Sequence, residues 1–281
     1  MLSIKKHVFL LILSPRSWSL IGQNMAWHCS GETNQEMVTK LKDDRTVNAG
    51  ILATDRAEAA MLAVDRAKYC RESQPYQDRP RRIGYNVTIS APHMHAHALS
   101  ILSNQLFDGA TALDVGSGSG YLSACMAHMV GSRGRVVAVE HIPELLELSK
   151  QNVSEDSPHF LKEGRIKFVA GDGRLGYAAD APYNAIHVGA AAKTMPQELI
   201  DQLAPGGRLI CPVVAIEGFQ QFQDLVQIDK KADGTIEKKK LMQVSYVPLT
   251  DATPADASIS ISIGCAHGIY LLGPGSPGCT G

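Results

Sequence analysis

The sequence lacks any hydrophobic run long enough to cross a bilayer. Near the amino end the apolar stretch from Val8 to Leu13 is six residues, short of the ~7–15 of a secretory core and well below the ~20 of a membrane span. Excess charge of either sign is also missing: 27 Lys and Arg stand against 28 Asp and Glu, a formal net charge of −1. Without a basic field to gather phosphates, neither a dedicated nucleic-acid partner nor a membrane partner is expected. The six cysteines (Cys29, Cys70, Cys125, Cys211, Cys265, Cys279) include no C-x-x-C pair and no His/Cys cluster at zinc spacing. They read as reduced thiols of a cytoplasmic protein. His93, His95 and His97 alternate, but no Asp, Glu or Cys stands beside them, so no metal site is expected. What remains is a composition 44% hydrophobic and 20% charged over 281 residues, ordinary for one α/β domain with a sizeable core.

Composition divides the chain into three parts. Residues 1–24 read as an amino-terminal extension, and Met25 opens a segment continuous with the rest. Residues 25–251 read as the domain. Residues 252–281 are rich in Ala, Ser, Gly and Pro, including Gly273, Pro274, Gly275 and Pro277, and are expected to form a flexible tail.

Within the domain, apolar residues at helical spacing (Met37, Val38, Leu41, then Ala60, Met61, Ala63, Val64) predict two helices between Asn34 and Tyr69. A short strand over Asn86 to Ser90 and a helix over Ala96 to Leu106 follow. Then strands and helices alternate: strands at 110–115, 135–139, 166–170, 185–188 and 208–214, helices at 121–130, 143–153 and 197–203. This pattern predicts a Rossmann-like α/β fold, a mostly parallel sheet with helices on both faces. Two further runs, Phe222 to Ile228 and Leu241 to Val247, predict an antiparallel edge hairpin. The loop joining them holds Asp233-Gly234 and the cluster Lys238 to Lys240, read as a solvated face.

The segment Leu113-Asp114-Val115-Gly116-Ser117-Gly118-Ser119-Gly120 joins a buried strand to a helix. Glycine removes the Cβ, so the backbone can turn sharply and approach a ligand, and the helix start offers unpaired N–H groups. The spacing is D-x-G-x-G-x-G, with Tyr121 after the last glycine. A dinucleotide fingerprint requires G-x-G-x-x-G, whereas class I S-adenosylmethionine-dependent methyltransferases use the pattern found. Glu140 lies twenty residues after Gly120 at the end of the next strand, placed to accept from two ribose hydroxyls. Asp172 ends the third strand and is placed to accept from an adenine amine. The carboxyl ends of parallel strands line the ligand crevice, so Asp114, Glu140 and Asp172 are expected to converge there.

The stretch Val87-Thr88-Ile89-Ser90-Ala91-Pro92-His93-Met94-His95 resembles the signature ahead of the glycine turn in protein-L-isoaspartate (D-aspartate) O-methyltransferases. The resemblance continues through Gly171-Asp172-Gly173-Arg174, the segment Pro182 to Ala192, Pro205 to Ile210 and Tyr246-Val247-Pro248-Leu249-Thr250-Asp251, covering roughly residues 25 to 251. It implies methyl esterification of isoaspartyl and D-aspartyl residues in damaged proteins and peptides by a monomer. Ser90 matches the family's active-site serine. Val87, Thr88, Ile89, His95, Asp114, Gly116, Ser117, Gly118, Gly120, Glu140, His141, Asp172, Gly173, Arg174 and Thr250 match its contacts to S-adenosyl-L-methionine. Ser90 and the backbone near Val247 are expected to hold the substrate. His187 is expected to be a satisfied buried strand histidine.

The chain departs from the family after Asp251, where Ala252-Thr253-Pro254 replaces a charged, tryptophan-containing end. The segment Arg45 to Ala60 is also longer than the family's linker. Two other readings stay open: a methyltransferase for another acceptor, or an adaptor that keeps the fold without turnover. Against the first, Gly189-Ala190-Ala191-Ala192 stands where base-amine methylation uses Asn/Asp-Pro-Pro-Tyr.

Overall fold

Met37, Val38 and Leu41 share one face of helix α1 (Asn34–Asp43) and are fully covered, as their spacing requires. In the computed structural model of the chain, residues 29–43 and 51–250 are described. The expected extension over 1–24, the tail over 252–281 and the first part of the Arg45–Ala60 linker lie outside the described residues. Helix α2 (Asp55–Ala63) starts at Thr54, whose side chain accepts the Ala57 N–H, satisfying one of the donors a helix start leaves open. A single tight turn follows at Arg66–Lys68, capped by Asp65.

Two short strands come next, β1 (Arg81–Gly84) and β2 (Val87–Ile89), paired antiparallel. Only β2 is legible in the sequence, because Arg81-Arg82-Ile83-Gly84 carries no alternation. Their turn places Tyr85 at φ +51° and Asn86 at φ +56°, the double left-handed conformation that suits strand twist. Helix α3 (Pro92–Leu102) begins four residues before its expected start at Ala96. Pro92 explains the difference: a proline in the first helical turn lacks only an N–H that would be unpaired anyway. His93 and His95 therefore stand on the first turns of a helix.

The central sheet has the order β5-β4-β3-β6-β7-β8-β9. Its strands are β3 (Thr111–Val115), β4 (Arg135–Glu140), β5 (Ile166–Ala170), β6 (Tyr183–Val188), β7 (Leu203–Glu217), β8 (Gln220–Lys230) and β9 (Ile236–Val244). The first five are parallel and the last two antiparallel. Between them run α4 (Tyr121–Met129), α5 (Pro143–Asp156), α6 (Pro158–Lys162) and α7 (Gln197–Asp201). Residues 113, 137 and 186 pack in one apolar layer and 112, 136, 138 and 185 in another, as a sheet covered on both faces demands.

The edge hairpin forms in a different register from the one expected. Lys231 donates to Thr235 at 2.8 Å and accepts from Gly234 at 2.9 Å, so the turn closes within five residues and pairing resumes at Ile236. Lys238, Lys239 and Lys240 thus lie in β9, opposite Ile228, Gln227 and Val226, and not in a loop. They remain exposed, and lysines on an edge strand discourage another chain from pairing there.

Candidate active site

Strand β3 has β4 on one side and β6 on the other, so the connections leave it in opposite directions. A crevice opens at such a point beyond the carboxyl ends of the strands. Here it is a cavity of about 530 Å³ walled by segments from residues 85–95, 114–122, 140–142, 187–190 and 247–250.

The glycine turn shapes its floor. Gly120 has φ +83°, and a Cβ there would lie 3.1 Å from Ser149 Cβ and 3.2 Å from the Ser149 carbonyl, so only glycine lets α4 start this close to α5. Gly118 donates its N–H to Glu140 Oε2 at 3.0 Å, while Glu140 Oε1 accepts from His141 N–H at 2.9 Å and Ile142 N–H at 3.1 Å. Three backbone donors hold a carboxylate that is 4% exposed, which offsets the cost of burying its charge. The Ser117 hydroxyl is also on this wall, buried and without a protein partner.

Asp114 faces the cavity from the end of β3, with both oxygens engaged. Ser123 Oγ donates to Oδ2 at 2.5 Å, and His187 Nδ1 lies 2.8 Å from Oδ1. His187 is the neighbour of Asp114 across β6 and is satisfied and buried, as expected.

The hairpin and helix α3 supply the opposite wall: Val87, Thr88, Ile89, Ser90 and His95 all line the cavity. Arg66 fixes this wall from behind. Its Nη2 donates to the Ser90 carbonyl at 2.8 Å, and its Nη1 lies 3.3 Å from His95 Nδ1. Burial, and then the Arg66 charge, push the His95 imidazole well below its ordinary range.

The roof is the segment after β9. Ala191 N–H donates to Val247 O and Leu249 N–H to Ala191 O, each at 2.8 Å. The Gln223 side chain brackets Tyr246, accepting its N–H at 2.6 Å and donating to its carbonyl at 3.1 Å. Thr250 Oγ1 lies 3.2 Å from His141 Nε2, joining the roof to the end of β4.

Asp172, Gly173 and Arg174 fall beside the cavity and not on its wall. Arg174 grips the Asp172 carboxylate through Nε at 2.9 and 3.0 Å and Nη2 at 2.6 Å, and its own N–H adds a bond at 2.9 Å. That guanidinium holds the Asp172 carboxyl below the usual carboxylate range, and His141 adds to the lowering. The expected convergence of three strand-end carboxylates is therefore met by Asp114 and Glu140, with Asp172 turned to its neighbour. Gly173 backs the site: a Cβ there would be 2.4 Å from Val115 Cγ1. Gly120 likewise works from behind the wall.

Arg66, Tyr85, Leu122, Ile142, Gly189 and Pro248 belong to the site or its support without having been expected. Arg66 carried no signal that sets it apart, since Asp65 and Lys68 give the same segment other charges.

Residues 32–254 match the sequence profile of the family described as protein-L-isoaspartate(D-aspartate) O-methyltransferase. Over 226 residues the chain is 52% identical to the Caenorhabditis elegans protein-L-isoaspartate O-methyltransferase, covering 80% of this chain and 96% of that protein. Over 220 residues it is 53% identical to Arabidopsis thaliana protein-L-isoaspartate O-methyltransferase 1, covering 77% and 91%. Among solved structures it resembles a Plasmodium falciparum chain assigned as a protein-L-isoaspartate O-methyltransferase and crystallised with S-adenosyl-L-homocysteine. That match has a TM-score of 0.70 and 37% identity, over 78% of this chain and 99% of the other. A cavity at the strand switch point, floored by the D-x-G-x-G-x-G turn, and a profile match over 32–254 together make this chain a member of the protein-L-isoaspartate(D-aspartate) O-methyltransferase family.

Proposed function

We propose that the chain uses S-adenosyl-L-methionine to methylate the free α-carboxylate of L-isoaspartyl and D-aspartyl residues in damaged proteins and peptides, initiating their repair. The observation that carries this reading is the facing of two walls across one cavity: Ser90 on one side, the glycine turn with Glu140 on the other. The cavity's volume of about 530 Å³ lies within the ~300–1,000 Å³ range of small-ligand sites. The unpartnered Ser117 hydroxyl and the clasped Glu140 carboxylate supply a donor and an acceptor suited to a nucleoside. The donor, when bound, supplies a methyl group already attached to a good leaving group.

An isoaspartyl α-carboxylate titrates at ~3.3–3.7 and is ionised at neutral pH, so no strong general base is required. The protein's task is alignment in a site with little water. Val87, Thr88, Ile89, His95, Asp114, Gly116, Ser117, Gly118, Glu140, His141, Asp172, Arg174 and Thr250 are assigned to hold the donor, with Gly120 and Gly173 supporting them from behind. Ser90 is assigned to orient the substrate carboxylate by donating its hydroxyl. Backbone beside Val247 is assigned to hold the substrate as an extended strand. Such positioning supplies up to ~7–11 kcal/mol in favourable intramolecular cases.

The full chain is incubated with labelled donor and two peptides, one isoaspartyl and one normal. Label is expected in the isoaspartyl peptide alone, and Ser90→Ala is expected to lose it while still binding S-adenosyl-L-homocysteine. Label in neither peptide despite donor binding would reduce the chain to an adaptor; equal label in both would reject the acceptor.

Cys70, Cys125 and Cys211 are buried free thiols, which supports a reducing, cytoplasmic setting, and the near-zero net charge supports protein rather than nucleic-acid partners. No helix among the described residues is long and apolar enough to cross a membrane. A monomer is assigned, and light scattering on the eluted full chain checks it.

A further inference from the structure

We infer that Arg66 is a positioning residue that fixes His95 as a neutral Nε2–H donor on the cavity wall, directed at an α-carboxylate oxygen. The inference rests on the proposed function for its ligand, but not for its geometry.

The Arg66 side chain is completely buried. Nε donates to the Pro75 carbonyl at 2.8 Å, Nη2 to the Ser90 carbonyl at 2.8 Å, and Nη1 faces His95 Nδ1 at 3.3 Å. Its guanidinium carbon lies 5.6 Å from the centre of the Tyr121 ring. Among the described residues no carboxylate comes within ion-pair distance of it. Its charge is shared among carbonyls, an aromatic face and one imidazole.

A guanidinium has five N–H donors, no acceptor, and does not lose its proton in proteins. The nitrogen facing Nη1 must therefore accept, so His95 Nδ1 carries the lone pair. In a neutral ring the proton is then on Nε2. Protonating Nδ1 as well would set N–H against N–H beside a fixed positive charge. Burial disfavours the imidazolium most, then the Arg66 charge, with smaller contributions from His187 on β6 and His93 on the same helix. The Tyr121 ring packs beside the imidazole, 5.0 Å between centres and tilted by 44°.

His95 lines the cavity, and its Nδ1 edge is taken by Arg66, so the Nε2 edge is the one it presents. The cation behind it polarises the ring and strengthens that donor. The same guanidinium holds the Ser90 carbonyl, so one buried charge sets both residues relative to each other. A donor with no proton to release suits an anion that must stay ionised. The methionine moiety of the methyl donor and the isoaspartyl residue each bring one such α-carboxylate.

The test begins on the full chain without ligands, with ¹⁵N-labelled histidine and the His95 signals assigned by their loss in His95→Gln. From about pH 6 to 8, Nδ1 is expected to read as unprotonated and Nε2 as protonated. A proton on Nδ1, or an imidazolium at neutral pH, would overturn the inference whether or not the enzyme turns over. Arg66→Met is expected to let the proton redistribute onto Nδ1; an unchanged tautomer in that variant removes Arg66 from the role. His95→Leu is expected to lose about tenfold or more in one binding constant, the size of one charge-assisted hydrogen bond, with His95→Gln recovering part of it. A loss in S-adenosyl-L-homocysteine affinity assigns the donor's carboxylate, and a loss in KM for the isoaspartyl peptide assigns the substrate's. No change in either constant would sink the inference. If the full chain methylates no isoaspartyl peptide, the proposed function fails while the tautomer and the S-adenosyl-L-homocysteine affinity still decide this one.

Discussion

The N–H of Gly118 points into the carboxylate of Glu140 at 3.0 Å, tying the middle of the glycine turn to the end of β4 across 22 residues. Because the other oxygen accepts from His141 and Ile142, neither oxygen tolerates replacement by an NH₂ group. Glu140→Gln should therefore be nearly as damaging as Glu140→Ala, since its amide sets a donor against a donor. Each is expected to weaken S-adenosyl-L-homocysteine binding by about tenfold or more and to cost about 1–3 kcal/mol of stability. Calorimetric titration and urea denaturation read the two effects. A Gln variant that binds like the parent would show the turn to be set by other contacts.

His97 is partly buried on α3 with both ring nitrogens enclosed and without hydrogen-bond partners. Burial, with a smaller contribution from His93, pushes its imidazole below the ordinary value of 6.5. As pH falls below about 6.5, the unfolded chain takes up the proton and the folded chain does not. Stability is therefore lost on acidification, from the unfolded value down towards the folded one. His95 and His128 shift in the same direction and add to the loss. His97→Leu is expected to flatten the decline of melting temperature between about pH 6.5 and 5, and an unchanged slope would remove His97 from the account.

Tyr85 holds φ +51° with half of its surface exposed. An aromatic residue in the left-handed region is strained, while Asn enters it readily. Tyr85→Asn should raise the urea midpoint by the equivalent of about 0.5–1 kcal/mol with no change in slope. A lower midpoint would mean that the ring's contacts at the cavity mouth outweigh the strain.

Burial pushes the Cys211 thiol up to about 12, and Cys125 is pushed higher still by the same cause. Thiolate is the reactive form. At about pH 8, where a free thiol is partly ionised, iodoacetamide is expected to leave both unlabelled in the native protein and to modify both in urea. Peptide mapping resolves them from the other cysteines, and native labelling of Cys211 would contradict its enclosure.

Features set by local spacing were legible in the sequence: the glycine turn, Glu140 one strand later, and the parallel strand–helix alternation. Features set by competition between neighbours were not. Asp172 sits just past a strand end, where carboxylates ordinarily face the crevice, but Arg174 two residues on captures both its oxygens. The register of β9 depended on how tightly Asp233-Gly234 closes, and the start of α3 on weighing Pro92 as a first-turn residue rather than as a break. Arg66 is the harder case. Its partners, Pro75, Ser90 and His95, gather only once the hairpin and α3 have packed.

The roof over the cavity is the last described part of the chain. Val247 and Leu249 pair with Ala191, and Thr250 reaches His141 across 109 residues, while the facing wall comes from residues 85–95. A chain emerging from the ribosome therefore has no closed site until nearly the whole domain has been synthesised and every strand between has found its place. Incomplete products are inert by construction. Ligand affinity, conversely, reports on the integrity of the entire sheet, because whatever binds only the closed cavity also stabilises the folded state by mass action.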